Sequence, residues 1–295
     1  MKILHYLLFI FSLSLIAYAC TSDHPSGPES SDFDRQEMLK NWADNIIIPA
    51  FDSFKEETAQ LKTAADGFTS NPTLETLNNL RATWETAYLS FQHVYMFEVG
   101  AAMNLRYHDN LNIYPADTEE IHKNIEGSYN LELPSLNNSQ GFPALDYLLY
   151  GLSDADSELL SYYTTGENPE GYRAYLTDLT TRIDDLTGQV LTFWEEGFRN
   201  EFIENDGNGS NTSVDMMVND YIFYYEKVLR AGKVGIPAGV FSGMPLSSHV
   251  EAYYRADLSK ALLLEALTAT QNFFNGKHFN SNENGESLSS YLDFL

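Results

Sequence analysis

The stretch PTLETLNNLRATWETAYLSFQHVY, residues 72–95, decides the fold class. Leu74, Leu77, Arg81, Trp84, Tyr88, Phe91 and Tyr95 recur at intervals of three and four, which places them on one face of a helix. The same period runs outward on both sides. Upstream, Met38, Trp42, Ile46, Phe54, Leu61, Ala65 and Phe68 predict a long first helix. Pro49 stands inside it, lacks a backbone donor and crowds the Asn45 carbonyl, so a kink is predicted there. Gly67 and Asn71-Pro72 close that helix and open the next, with Asn71 as its cap. Downstream, Asn168-Pro169 opens a helix through Tyr175, Ile183 and Val190 to about Glu204. Thr212-x-x-Asp215 opens another whose Met217, Val218, Tyr221, Ile222, Phe223, Tyr225 and Val228 make it apolar almost all round, a pattern that predicts deep burial. Ser248-x-x-Glu251 has the form of a capping box for a helix ending near Asn275.

Shorter elements lie between. Asp117–Glu126 reads as a short helix capped by Asp117, and GFPALDYLLYG (141–151) as one opened by Pro143 and closed by Gly151. Residues 232–245, GKVGIPAGVFSGMP, hold too many Gly and Pro for a regular helix. No stretch alternates convincingly as a strand does, so the class is all-α. Each half of the chain has two long helices and a Gly/Pro-interrupted stretch near an acidic residue. This suggests two helical bundles, 34–151 and 152–295. The final segment, Ser287–Leu295, has helical spacing and then stops without a cap, so either the last helix is short or the sequence is truncated.

The 295 residues carry 17 Lys+Arg against 42 Asp+Glu, a net charge of −25. An acidic chain without basic blocks is a poor partner for nucleic acid, whose phosphates require clustered Lys and Arg. The single cysteine, Cys20, excludes an internal disulfide framework, a cysteine-cluster zinc site and a CxxC redox centre. Met1-Lys2 and the apolar run Tyr6–Leu15 form a leader, with Ala17 and Ala19 before Cys20. This resembles a bacterial lipobox, in which cleavage before the cysteine and its acylation anchor the protein to a membrane. Tyr18 departs from the usual small residue, and an ordinary secretory signal cleaved after Ala19 is the alternative. Residues 20–33, polar and rich in Ser and Pro, then form a flexible tether. The expected location is the cell envelope, on a bacterial membrane and most simply the outer one.

Several segments resemble imelysin-like proteins: Asn41–Ala50, Trp84-x-x-Ala87-Tyr88-x-x-Phe91-Gln92, Asn112-Ile-Tyr-Pro-Ala-Asp117, Gly141–Gly151 and Tyr225–Gly239. The resemblance spans roughly residues 35–280 and treats 34–295 as one imelysin-like domain. It implies two four-helix-like bundles related by a pseudo-twofold, and a bacterial envelope protein associated with iron uptake or its regulation. Some imelysins are described as metallopeptidases, a label that belongs to members with a GxHxxE motif. The matching positions here are Gly141, Pro143 and Asp146. His and Glu three apart share a helix face and can hold a metal together, whereas proline offers no ligand atom. No HExxH is present, and neither His93, His108, His122, His249 nor His278 is followed by Glu at the third position. Peptidase activity therefore has no local template, and the enzyme question leans towards no.

The candidate ligand site gathers Asp146, Asp117, Tyr114, Tyr147, Arg230 and Lys233, with iron or haem as the ligand and no certain cofactor. Each has a structural reading as well: Asp146 and Asp117 as helix-end carboxylates, Arg230 and Lys233 as cations at a helix C-terminus. Glu119, His122 and Glu126 could share a helix face as metal ligands or as exposed ion pairs. Glu98 is either a buried polar site or a surface residue. Three functions follow: a non-enzymatic, membrane-anchored binding protein in iron or haem uptake with a transport partner, a metallopeptidase, or an envelope interaction scaffold.

Overall fold

Leu74–Val94 is helical, as its period requires, but its cap is Thr73. The Thr73 hydroxyl accepts the Thr76 N–H and the Thr76 hydroxyl accepts the Thr73 N–H, a reciprocal box that outcompetes Asn71-Pro72 for the start. Asn71 instead ends the preceding helix. The computed structural model describes residues 33–295; the leader and Cys20 lie outside the described residues. In chain order the helices are α1 Arg35–Asn41, α2 Ile48–Ser70, α3 Leu74–Val94, α4 Ala101–Leu105, α5 Tyr107–Leu111, α6 Thr118–Glu126, α7 Gly141–Asp146, α8 Asp156–Thr164, α9 Pro169–Phe193, α10 Arg199–Glu204, α11 Ser213–Phe223, α12 Ala256–Phe274 and α13 Leu288–Phe294. Among the described residues there is no strand, only an isolated bridge between Lys277 and Asn284.

The kink predicted at Pro49 is a π turn, Trp42–Ile47, between α1 and α2. Wider turns of this kind recur at Tyr147–Gly151, Trp194–Phe198 and Tyr224–Gly235. Helix α2 packs along both α3 and α9, and α3 packs also on α12. Arg35–Leu295 is one compact unit, and the boundary expected between 151 and 152 meets no break in packing, since α2 before it lies on α9 after it. Trp42, Trp84 and Trp194 are fully buried, and Phe142 stacks on Tyr88 with ring centroids 4.4 Å apart. Lys55 of α2 meets Asp184 of α9 at 2.5 Å, and the Thr58 hydroxyl donates to the same carboxylate.

Helix α11 is not deep in a bundle. Ile222 and Phe223 are 54% and 57% exposed, Tyr225 in the π turn that follows is 44% exposed, and only part of the helix's circumference meets neighbours. The apolar pattern recorded composition, not the number of packed faces. Ser248-x-x-Glu251 is not a capping box either: a 3-10 turn covers Ser247–His249, and α12 starts only at Ala256.

Gly141 fixes where α7 begins. Its φ is +74°, and a Cβ there would lie 2.1 Å from the Leu111 carbonyl oxygen. That oxygen is backbone and cannot step aside. Gly141→Ala is therefore expected to cost about 3 kcal/mol or more, read by urea denaturation; a loss below about 1 kcal/mol would show that the α5–α7 contact adjusts freely.

Candidate functional site

The segment 141–151 is seated from both ends. Gly141 abuts the α5 backbone, Phe142 lies against Tyr88 of α3, and the Arg81 guanidinium donates twice to the Leu149 carbonyl at 3.0 and 2.7 Å. This places Asp146 inside the protein. Its two carboxylate oxygens accept the backbone N–H groups of Tyr254 and Arg255, at 2.8 and 2.9 Å. These amides stand immediately before α12, where helical geometry leaves donors unmatched. Asp146 thus acts as a cap supplied from a distant part of the chain. Beside it is a cavity of about 160 Å³ lined in part by Tyr114, Thr118, Pro143, Asp146, Ser248 and Tyr254.

Behind Tyr114 lies a buried polar network. The Lys233 ammonium, on the π turn Tyr224–Gly235, pairs with the Glu251 carboxylate and donates to Gln92 Oε1 of α3 at 2.9 Å. The other Glu251 oxygen accepts Asn112 Nδ2 at 2.7 Å, and Asn112 Oδ1 accepts the Tyr88 hydroxyl at 2.5 Å. The Lys233 ammonium also stands 5.6 Å from the centre of the Tyr95 ring. Burial pulls the Lys233 pKa down, and Glu251 opposes that shift. The Tyr224 hydroxyl is buried without a hydrogen bond. The Tyr114 hydroxyl reaches towards Gly232, where a Cβ would meet it at 3.4 Å. Burial, followed by the negative charge of Glu251, raises the pKa of Tyr114 well above its ordinary value, so the phenol stays protonated.

Of the residues predicted for the site, Asp146, Pro143 and Tyr114 line one cavity, whereas Lys233 does not line it and is held in the buried pair with Glu251. Tyr147 stands alongside, its ring 5.2 Å from that of Tyr254 and its hydroxyl 2.7 Å from His122 Nε2. Asp117 does not take part: its carboxylate accepts the Glu120 N–H as the cap of α6. Arg230 does not either, because it is exposed and pairs with Glu226 one helical turn away. His122 makes hydrogen bonds at both ring nitrogens, to Tyr147 and to Tyr172, which separates it from Glu119 and Glu126. Glu98 is part of a buried group, with its backbone N–H donating to Asp220 and its carboxylate 3.0 Å from His108 Nε2. Gln92, Asn112 and Glu251 were assigned no site role from sequence. A signal for Glu251 was present: no Asp, Glu, Lys or Arg stands between Lys233 and Glu251.

The imelysin model (peptidase M75) matches residues 47–293. The chain belongs to the imelysin family. Its fold is similar to a putative iron-regulated protein A precursor from Parabacteroides distasonis, with a TM-score of 0.70 and 14% identity over 92% of this chain and 82% of that one. It is also similar to an imelysin-like protein from Psychrobacter arcticum, with a TM-score of 0.62 and 17% identity over 82% of this chain and 74% of that one. No curated protein matches the sequence significantly. The metal implied by the family's peptidase label does not fit the residues present. Pro143 has no donor atom, Asp146 already serves two backbone amides, and no group of three or more His, Cys, Asp or Glu among the described residues could hold a metal ion.

Two predictions follow from this geometry. Replacing Lys233 by Met leaves Glu251 buried without its cation and should cost about 3–5 kcal/mol. The double variant with Glu251→Gln should recover much of that, as measured by a double-mutant cycle in urea; a single-variant loss under about 1 kcal/mol would mean that the pair is solvated. The second concerns pH. Burial pushes the Asp146 carboxyl from 3.8 up to about 7 against the opposing pull of the Tyr254 and Arg255 amides. Burial likewise pushes Glu98 from 4.5 to about 8 and Asp220 from 3.8 to about 6. Between the two values of each group the folded state holds a proton that the unfolded chain has lost, so stability falls as pH rises through that window. Unfolding free energy is expected to decline from about pH 4 to about pH 8, with a shallower slope below pH 7 in Asp146→Asn. A stability that climbs over the same range contradicts the assignment.

Proposed function

We propose that this imelysin-family chain works without cleaving peptides, as a lipid-anchored envelope protein that binds an iron-bearing ligand. The observation that carries the non-enzymatic reading is the state of the motif position. Where family peptidases have His and Glu, this chain has Pro143 and a carboxylate committed to the amides of Tyr254 and Arg255. The iron connection is supported by the family and by a similar fold whose description is an iron-regulated protein. The anchor rests on Cys20 and its lipobox-like surroundings. Stable attachment needs more than a single acyl chain, which a lipoprotein-type modification supplies.

The Asp146 cavity, at about 160 Å³, is smaller than the roughly 300 Å³ at which drug-sized pockets begin. A porphyrin is too large to be enclosed there, which favours a small ferric chelate over haem. A chelate also suits the polar groups better than a bare ion does. The phenol of Tyr114 lines the cavity and stays protonated, so it offers a hydroxyl donor rather than a metal ligand.

Calorimetric and absorbance titration of the purified protein with ferric citrate, a ferric siderophore and haem tests the reading. Saturable binding of a ferric chelate is expected, weakened in Asp146→Ala, together with no chelator-sensitive cleavage of a peptide library. Absence of binding to all three probes overturns the iron role, and chelator-sensitive cleavage overturns the non-enzymatic one. Palmitate labelling in cells should be lost in Cys20→Ala; unchanged labelling would remove the anchor.

A further inference from the structure

Pro49 has no N–H, so the Asn45 carbonyl lacks the donor that a regular helix would supply. It accepts instead the N–H of Phe279, at 2.8 Å. One turn earlier, the Asn41 side-chain amide donates to the carbonyls of Gly276 and Glu286, at 3.1 and 3.0 Å. Three bonds from the start of the chain therefore hold the segment 276–286, which follows α12. Gly276 makes the fold-back possible: its φ is +66°, and a Cβ there would lie 2.4 Å from the Gly285 carbonyl.

Under this segment lies a cavity of about 360 Å³, larger than the one beside Asp146 and sharing no lining residue with it. Its apolar lining includes Met96 and Phe97 from just beyond α3 and Phe273 from α12. Lys277 and His278 come from the pinned segment. His93 and Glu265 also line it, with His93 Nε2 2.6 Å from the Glu265 carboxylate. Among the described residues the Lys277 ammonium makes no hydrogen bond or ion pair, although the residue is half-buried; the other lysines with unpaired ammonium groups, Lys227 and Lys260, are exposed. A lysine without a counter-charge at the edge of a cavity is notable in a chain with 42 Asp+Glu to choose from.

We infer that this cavity is a second binding site, for a small organic monocarboxylate. The Lys277 ammonium receives the carboxylate, and the hydrocarbon body lies on the Met96 and Phe97 side. A single charge suits the site better than a dianion such as phosphate, because the Glu265 carboxylate, which contacts His93, also lines the cavity. The site is separate from the motif position, so it does not rest on the iron reading.

Benzoate is the probe, with benzamide as its neutral counterpart of nearly the same shape. Titration of the full protein, followed by calorimetry and by NMR of the Met96 methyl and His93 ring signals, should show saturable benzoate binding and weaker benzamide binding. Lys277→Gln should weaken benzoate about ten-fold or more at an unchanged melting temperature, Lys277→Arg should retain it, and Asp146→Ala should leave it unaffected. Absence of saturation at 10 mM benzoate, equal affinity for benzamide, or full affinity in Lys277→Gln would each overturn the proposal. Should Lys277→Gln lose its fold, the benzoate-to-benzamide ratio in the unsubstituted protein decides.

Discussion

The Lys233–Glu251 pair is the interaction on which the arrangement around the motif depends. Two charges withdrawn from water are costly, and their attraction offsets that cost only when every remaining donor and acceptor is also matched. Gln92 of α3 and Asn112, which follows α5, supply the match. The pair therefore fixes the relative position of four pieces of chain: the end of α3, the turn after α5, the π turn Tyr224–Gly235 and the loop before α12. Asp146 then fastens that last loop a second time, through Tyr254 and Arg255. The cavity beside Asp146 lies where these two anchors tie the loop to α7 and to the π turn.

The π turns answer a shared difficulty. A regular helix uses its own carbonyls, so helices can recruit an irregular segment only where the ladder is disturbed. At Trp42–Ile47 the disturbance accompanies Pro49, and the Asn45 carbonyl holds the Phe279 N–H. At Tyr224–Gly235 the widened helix turns Lys233 inward while Val234 next to it stays exposed. At Trp194–Phe198 Gly197 has a φ of +150°, and the aromatic side chains of Phe193 and Phe198 approach Gly100 so closely that a Cβ there would collide with Phe198.

The long helices were legible because burial of one face imposes a period, and period survives in sequence. Asp117 and Asn168 were legible as caps because each accepts an amide only three residues away. Glu251 was misread for the opposite reason. Its partners are Lys233, Gln92 and Asn112, and no local rule relates positions that far apart. The spacing Ser248-x-x-Glu251 satisfied a local motif, yet burial of Lys233 demanded a counter-charge, and that demand is the stronger. Asp146 was read as the carboxylate of its own helix end, whereas the amides it serves are more than a hundred residues further along. The apolar face of α11 shows the remaining limit: hydrophobicity says that a face can be buried, not that a neighbour is there to bury it.

The residues at the motif position and the internal ion pair agree in leaving no carboxylate free. A metal site of the kind His and Glu would build gains from carboxylates left free. Here one carboxylate, Glu251, is already neutralised by a cation that belongs to the chain, and another, Asp146, is shared by two peptide amides. Pro143→His alone would therefore add a ligand atom without freeing a carboxylate, because Asp146 would first have to release the amides of Tyr254 and Arg255.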